Sequence, residues 1–173
     1  YVTVIGFIET HGESLHSDML KIFYQNLGHI VVTIYSTLTP ALLSDYDILI
    51  IGEDWYDNPW LPSEIVAVQN FIDSGKGFVG IGDELAPTVR QILSGYGIAY
   101  TGYSGYAGSS NNFDHSHPIM EGVNYIYASY PVNSLQTEPP GYWIASDSHN
   151  VYMLIAGAEV GGYVLCMSND FAA

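Results

Sequence analysis

Residues 77–84 read Gly-Phe-Val-Gly-Ile-Gly-Asp-Glu, an apolar run that breaks at a glycine and meets two carboxylates at once. Many α/β enzymes hold their nucleophile on a sharp strand-to-turn corner of this kind, because the turn lifts one side chain clear of the sheet. Here the corner carries Gly82, which has no side chain to react. Asp83 would serve only from the tip of the turn, with an imidazole in reach and amides aimed at the developing oxyanion. Nothing nearby in sequence supplies those partners.

Two more segments follow apolar runs and carry acids: Glu9-Thr10-His11-Gly12-Glu13, and Glu53-Asp54-Trp55-Tyr56-Asp57-Asn58-Pro59-Trp60. With Asp83 and Glu84 they bring seven carboxylates to one set of turns, and no Lys or Arg lies within them. Crowded carboxylates raise one another's pKa or recruit a cation. Such a rim disfavours phosphate and nucleotide ligands, and suits a hard metal ion, a cationic ligand or a neutral polyol. Glu9, His11, Glu53, Asp54, Trp55, Tyr56, Asp83 and Glu84 are therefore the candidate ligand-binding residues. The plainer alternative is that several of these acids simply sit at helix N-termini, where negative charge is favoured.

The histidines offer a second chemistry. Asp114-His115-Ser116-His117 puts two imidazoles at alternate positions, on one side of an extended segment. His11, His115 and His117 with Glu9, Asp54, Asp83 or Glu84 form a candidate divalent-metal set, which would make the protein a metal-assisted hydrolase. Against this, His117 can anchor its own loop through the backbone. A flavin site built on Thr10-His11-Gly12-Glu13-Ser14, with Trp55 and Trp60 stacking on the ring, would set Glu13 against a phosphate with no basic residue near. Fifteen tyrosines, among them Tyr125 and Tyr127 at strand spacing, suit sugar binding or packing against another surface.

Strand-like and helix-like runs alternate through the first hundred residues. Val2–Ile8, His29–Ser36, Asp47–Gly52 and Gly77–Gly82 read as strands, the first a continuous apolar run suited to burial on both faces. Between them lie a helix with Leu15, Met19, Ile22, Phe23 and Leu27 as its inner stripe, a short turn capped by Thr39, and a helix opened by Pro62. The last has Ile65, Val66, Val68, Phe71 and Ile72 inward and stops at Gly75. A further helix around Thr88–Leu93 leads into Ile98–Tyr100. Beyond residue 103 the style changes: 104–112 reads as an exposed loop, and Tyr125–Ser129, Tyr142–Ala145, Val151–Ala156 and Tyr163–Met167 as strands. Alternation of this kind predicts a three-layer α/β/α domain around a mostly parallel sheet, with ligands beyond the carboxyl ends of its strands.

The chain has 173 residues and a mean hydropathy of +0.15, enough for one domain with a sizeable core. Its net charge of −15 arises from 18 acids against only three cations, Lys21, Lys76 and Arg90. Such a surface repels phosphate backbones and anionic lipid, so nucleic acid and membrane are poor partners. No apolar run approaches the roughly 18 residues that cross a bilayer. Few lysines and many tyrosines favour an extracellular or cell-surface setting, and the abrupt ends suggest a module taken from a larger protein. Cys166 lies in an apolar run and reads as a buried thiol with no intrachain partner.

The runs Gly28–Val32, Leu42–Gly52 and Val68–Gly82 resemble the class I glutamine amidotransferase-like superfamily. His117-Pro118-Ile119-Met120-Glu121-Gly122-Val123 is similar to a turn of its non-amidotransferase branches, trehalose-utilisation-like proteins among them. The resemblance implies a flavodoxin-like α/β fold. Active members carry Cys in a G-x-C-x-G corner after the fourth strand, paired with a later His and an acid. At those places this sequence has Gly82 and Glu84, so the resemblance implies a branch without glutaminase chemistry. The sequence thus reads as residues 1–173 forming one non-catalytic binding or interaction module. A sugar or polyol, a cation or a basic protein surface would occupy its rim. Other domains of the same polypeptide, protein partners, carbohydrate or a second copy in a homodimer are its candidate partners, and no cofactor is implied beyond the metal set above.

Overall fold

The computed structural model describes residues 1–11, 17–52, 59–82, 85, 87–103, 107–128, 133–149 and 153–167. The first half alternates β1 (Val4–Ile8), α1 (Ser17–Asn26), β2 (Ile30–Ile34), α2 (Pro40–Leu43), β3 (Ile48–Ile51), α3 (Pro62–Asp73), β4 (Gly77–Ile81) and α4 (Pro87–Gly95). Among the described residues of the second half, the regular elements are strands and one 3-10 turn at Pro118–Met120. The strands are β5 (Ile98–Tyr103), β6 (Gly108–Ser110), β7 (Ile126–Ala128), β8 (Asn133–Thr137), β9 (Gly141–Ser146), β10 (Met153–Glu159) and β11 (Tyr163–Met167).

The main sheet has nine strands in the order β2-β1-β3-β4-β11-β10-β8-β5, with β9 paired to β10. β2, β1, β3, β4 and β11 run parallel. β10 turns the direction, pairing antiparallel with β11, β9 and β8, and β5 closes the far edge against β8. The order reverses between β1 and β3, the place where an open parallel sheet leaves a crevice for ligands. This is the α/β, mostly parallel architecture that the sequence predicts.

Side-chain alternation sends the strand residues to two faces. On one face Ile8, Leu49, Phe78, Val164 and Cys166 pack under α2, α3 and α4. On the other, Ile5, Phe7 and Ile50 meet Leu20 and Tyr24 of α1. Further along that second face, Ile144, Ala145 and Ile155 pack with Phe113, Met120 and Ile126 from the β6–β7 ribbon and the 3-10 turn. The second outer layer is therefore part helix, part ribbon.

Three expectations are corrected. Of the expected inner stripe, Met19, Ile22 and Phe23 of α1 and Leu27 just beyond it face solvent, at 55–70% exposure, while Leu20 and Tyr24 face the sheet; Leu15 lies outside the described residues. Lys21 explains the rotation: its ammonium stands 5.5 Å over the Phe7 ring and pairs with Glu9, so the helix turns that stem inward. In α3, Val66 is exposed and Ala67 and Glu64 are buried. The segment 104–112 contains β6 rather than a bare loop, and β8, a polar strand, has no counterpart among the predicted elements. Among the described residues no helix is long and apolar enough to cross a membrane.

Candidate functional site

At the carboxyl edge of the parallel strands, one buried carboxylate ties together the exit of β1, the segment after β2 and the start of α3. Pro62 starts α3 with its fixed φ and no N–H to satisfy, which places Glu64 at the third helical position. From there Glu64 Oε2 accepts the Leu61 N–H at 2.8 Å, the reciprocal half of a capping box. Its Oε1 accepts the Leu38 N–H at 2.9 Å and faces His11 Nε2 at 3.0 Å. Burial is the largest influence on this carboxyl and pushes its pKa up. The donations from Leu38, Leu61 and His11 outweigh it and hold Glu64 below the ordinary carboxylate range.

An ionised carboxylate can only accept, so His11 carries its proton on Nε2. Its Nδ1 is buried and has no hydrogen-bond partner among the described residues. The imidazole stacks on Trp60, centroids 4.5 Å apart, and the Trp60 indole Nε1 is likewise buried and without a partner among the described residues. His11 is 5% exposed and Trp60 8%. A stranded acceptor and a stranded donor on two stacked rings are each costly to bury, at about 1–3 kcal/mol. The sequence pointed to His11 but not to its partner. The signal for Glu64 was there, a glutamate three residues after the chain turns into a proline-led helix.

Glu9, at the end of β1, does not stand in an unbalanced acidic rim. Lys21 reaches it from α1, and Glu9 also accepts from the Tyr35 phenol, whose pKa is raised by that hydrogen bond and by the charge behind it. A lysine twelve residues further along the chain, outside the acidic turns, supplies the cation that those turns lack. Thr10 Oγ1 donates to Ile34 O at 3.0 Å and Ser36 O at 3.1 Å, fixing the exit of β1 to that of β2. Glu53, Asp54, Trp55, Tyr56, Asp83 and Glu84 lie outside the described residues.

Of the corner after β4, Gly82 is described. Gly82 has φ +139°, a region side chains avoid. Its N–H donates to Met167 O at 3.0 Å, and its carbonyl accepts the Tyr100 hydroxyl at 2.8 Å. The Arg90 guanidinium lies 4.8 Å from the Tyr100 ring and donates to Leu85 O at 2.7 Å. Cys166 sits on β11 in register with Gly80, and its Sγ meets the Tyr100 hydroxyl at 3.5 Å. Burial pushes that thiol up to about 12, against smaller opposite effects of Tyr100 and Arg90. It is a protonated core group, unsuited to attack.

His115 and His117 do not join His11. His117 caps the 3-10 turn, its Nδ1 accepting the Ile119 N–H at 3.4 Å while Nε2 meets the Tyr142 hydroxyl at 3.3 Å. His115 packs on Phe113, on the face of the sheet opposite α3. Among the described residues no three His, Cys, Asp or Glu side chains gather as a metal set.

All three cations are engaged inside the molecule. Lys21 is on Glu9, Lys76 donates to the Ser44 and Tyr46 carbonyls, and Arg90 braces Leu85 and Tyr100.

The fold is shared with several solved structures of low sequence identity. The N-terminal domain of mmIFT52 superposes with a TM-score of 0.74 at 13% identity, over 96% of this chain and 86% of that one. A ThuA-like protein of Parabacteroides merdae gives 0.64 at 12% identity, over 97% and 79%. A GMP synthase protein of Thermoplasma acidophilum gives 0.62 at 11%, over 95% and 83%. No protein-family model and no curated protein matches the sequence.

Proposed function

We propose that this domain is a non-catalytic binding module of a larger protein, and that it takes a neutral, hydroxyl-bearing small molecule at the carboxyl edge of β1 and β3. One observation carries the reading: His11 Nδ1 and Trp60 Nε1 are buried without partners among the described residues; with the imidazole proton on Nε2 facing Glu64, Nδ1 is an acceptor and the indole N–H a donor. A hydroxyl group donates and accepts, so it answers both. A phosphate or carboxylate would answer the indole alone, and a metal ion the imidazole alone. The commitment of every Lys and Arg to internal partners also disfavours an anionic ligand. The glycine at the corner and the buried, protonated Cys166 support a role without covalent chemistry. The module reading is supported by mmIFT52, where the same fold is a domain of a longer chain.

The test is the indole N–H signal of Trp60, assigned with Trp60→Phe, during titration with neutral monosaccharides and polyols, inorganic phosphate and zinc. A saturable shift with a sugar or polyol, lost in His11→Phe, is expected. Saturation by phosphate or zinc instead, or no shift with any hydroxyl compound, would overturn the reading.

A further inference from the structure

β2 is an edge strand with none of the usual safeguards. Its sequence, Ile30-Val31-Val32-Thr33-Ile34, has no charge, no proline and no bulge against β1. Edges of this kind are templates for pairing with another chain. The register shows which groups are on offer. Ile30 donates its N–H to Thr3 O at 3.0 Å, and Ile34 accepts from the Glu9 N–H at 3.0 Å, so both turn their backbone toward β1. In a parallel ladder the intervening residues point the other way. Val31 and Thr33 therefore present their N–H and C=O groups outward, without partners among the described residues.

Beside this edge lies the rotated α1. Met19, Ile22, Phe23 and Leu27 are 55–70% exposed, and Ile30 and Val32 of β2 are 52% and 37% exposed. Ile30 and Val32 share the face of Ile34, opposite α1, so apolar surface flanks the edge on both faces of the sheet. Half-exposed side chains of this size show roughly 100 Å² each, and the six together offer about 600 Å² per copy, or about 1,200 Å² for a pair, the lower end of a standard interface. Charge marks the same region. From residue 19 to residue 44 the only Lys, Arg, Asp or Glu is Lys21, already paired with Glu9, although the chain carries −15 overall.

We infer that two copies of this chain associate through β2, antiparallel about a two-fold axis at Val32, with the α1 flanks closing over the seam. The occupant is a second copy because the patch is complementary to itself. An uncharged apolar surface meets its twin without bringing carboxylates together. The backbone agrees. With Val32 opposite its symmetry mate, Val31 of one protomer stands opposite Thr33 of its partner, and each of these pairs exchanges two hydrogen bonds. An isologous contact requires that kind of reciprocity.

The inference is independent of any ligand at His11 and Trp60. Its test is sedimentation and light scattering across a concentration series, at low and moderate salt, together with amide exchange. The expected result is a mass of twice 19.0 kDa. Association should tighten as salt screens the repulsion between two copies of net charge −15. Val31 and Thr33 amides should gain protection with concentration. Val32→Lys, at a partly exposed position, should weaken the dimer about 100-fold by opposing two ammonium groups across the axis, and Phe23→Lys should weaken it about 10-fold. Circular dichroism of each variant checks that the fold persists. A monomer throughout, a dimer indifferent to both variants, or one whose Val31 and Thr33 amides exchange freely would overturn the inference.

Discussion

Replacing Glu64 by alanine tests the site at its centre. The change strands three donors: the Leu38 N–H, the Leu61 N–H and His11 Nε2–H, now held at 2.9, 2.8 and 3.0 Å. Leu61 is half-exposed, so water can take its N–H, while Leu38 and His11 are buried. At about 2 kcal/mol for each buried donor left unpaired, Glu64→Ala should cost about 4 kcal/mol. That is a large share of the roughly 5–15 kcal/mol by which domains of this size are stable. Glu64→Gln keeps an oxygen for Leu38 and His11 but turns an amide toward the Leu61 N–H, and should cost about 1–2 kcal/mol. The pH dependence has a definite sign. Glu64 is held below its unfolded pKa, so its contribution is complete above the unfolded value and lost as pH falls through the folded one. Urea unfolding of wild type and both variants, from neutral pH into acid, reads all of this. The gap between wild type and Glu64→Gln should close toward acid. A Glu64→Ala protein within about 0.5 kcal/mol of wild type, or a gap unchanged by pH, would refute the reasoning.

Two further outcomes follow from the corner after β4. Cys166, buried and with its thiol pushed up to about 12, should resist a disulfide reagent in the folded protein and react fully in urea; rapid labelling of native protein would contradict its placement. Gly82→Cys restores a thiol to the turn at φ +139° and should lower stability by about 1–3 kcal/mol without yielding glutamine hydrolysis, measured by urea midpoint and ammonia release; a variant as stable as wild type would contradict the backbone conformation.

The parallel half of the fold was legible because its signals are local. β1, β3 and β4 are continuous apolar runs, Thr39 caps its turn through the Leu42 N–H, and Pro62 opens α3. The rotation of α1 was not, since Met19, Ile22, Phe23 and Leu27 form a good apolar stripe by spacing alone. What decides is Lys21, whose partners Glu9 and Phe7 belong to β1 and its exit, and no periodicity within the helix carries that information. β8 was missed because Asn133, Gln136 and Thr137 give it a polar character, and its pairing comes from β5 and β10. At the site, His11 stood out as a residue type, whereas its meaning depends on Glu64, 53 positions away. The Cys166–Tyr100–Gly82 chain links three segments that only the sheet brings together.

The position of β11 has a consequence for how the molecule is made. It lies between β4 and β10, and its Tyr163 pairs with Gly77, 86 residues earlier. A nascent chain that has left the ribosome only as far as β10 lacks the strand that joins the parallel block to the antiparallel one. Until that strand arrives, β4 offers an unpaired apolar margin to whatever else is in the cell. So long a closure makes completion of the sheet a late event, and chaperones that bind exposed strands have their opportunity in that interval.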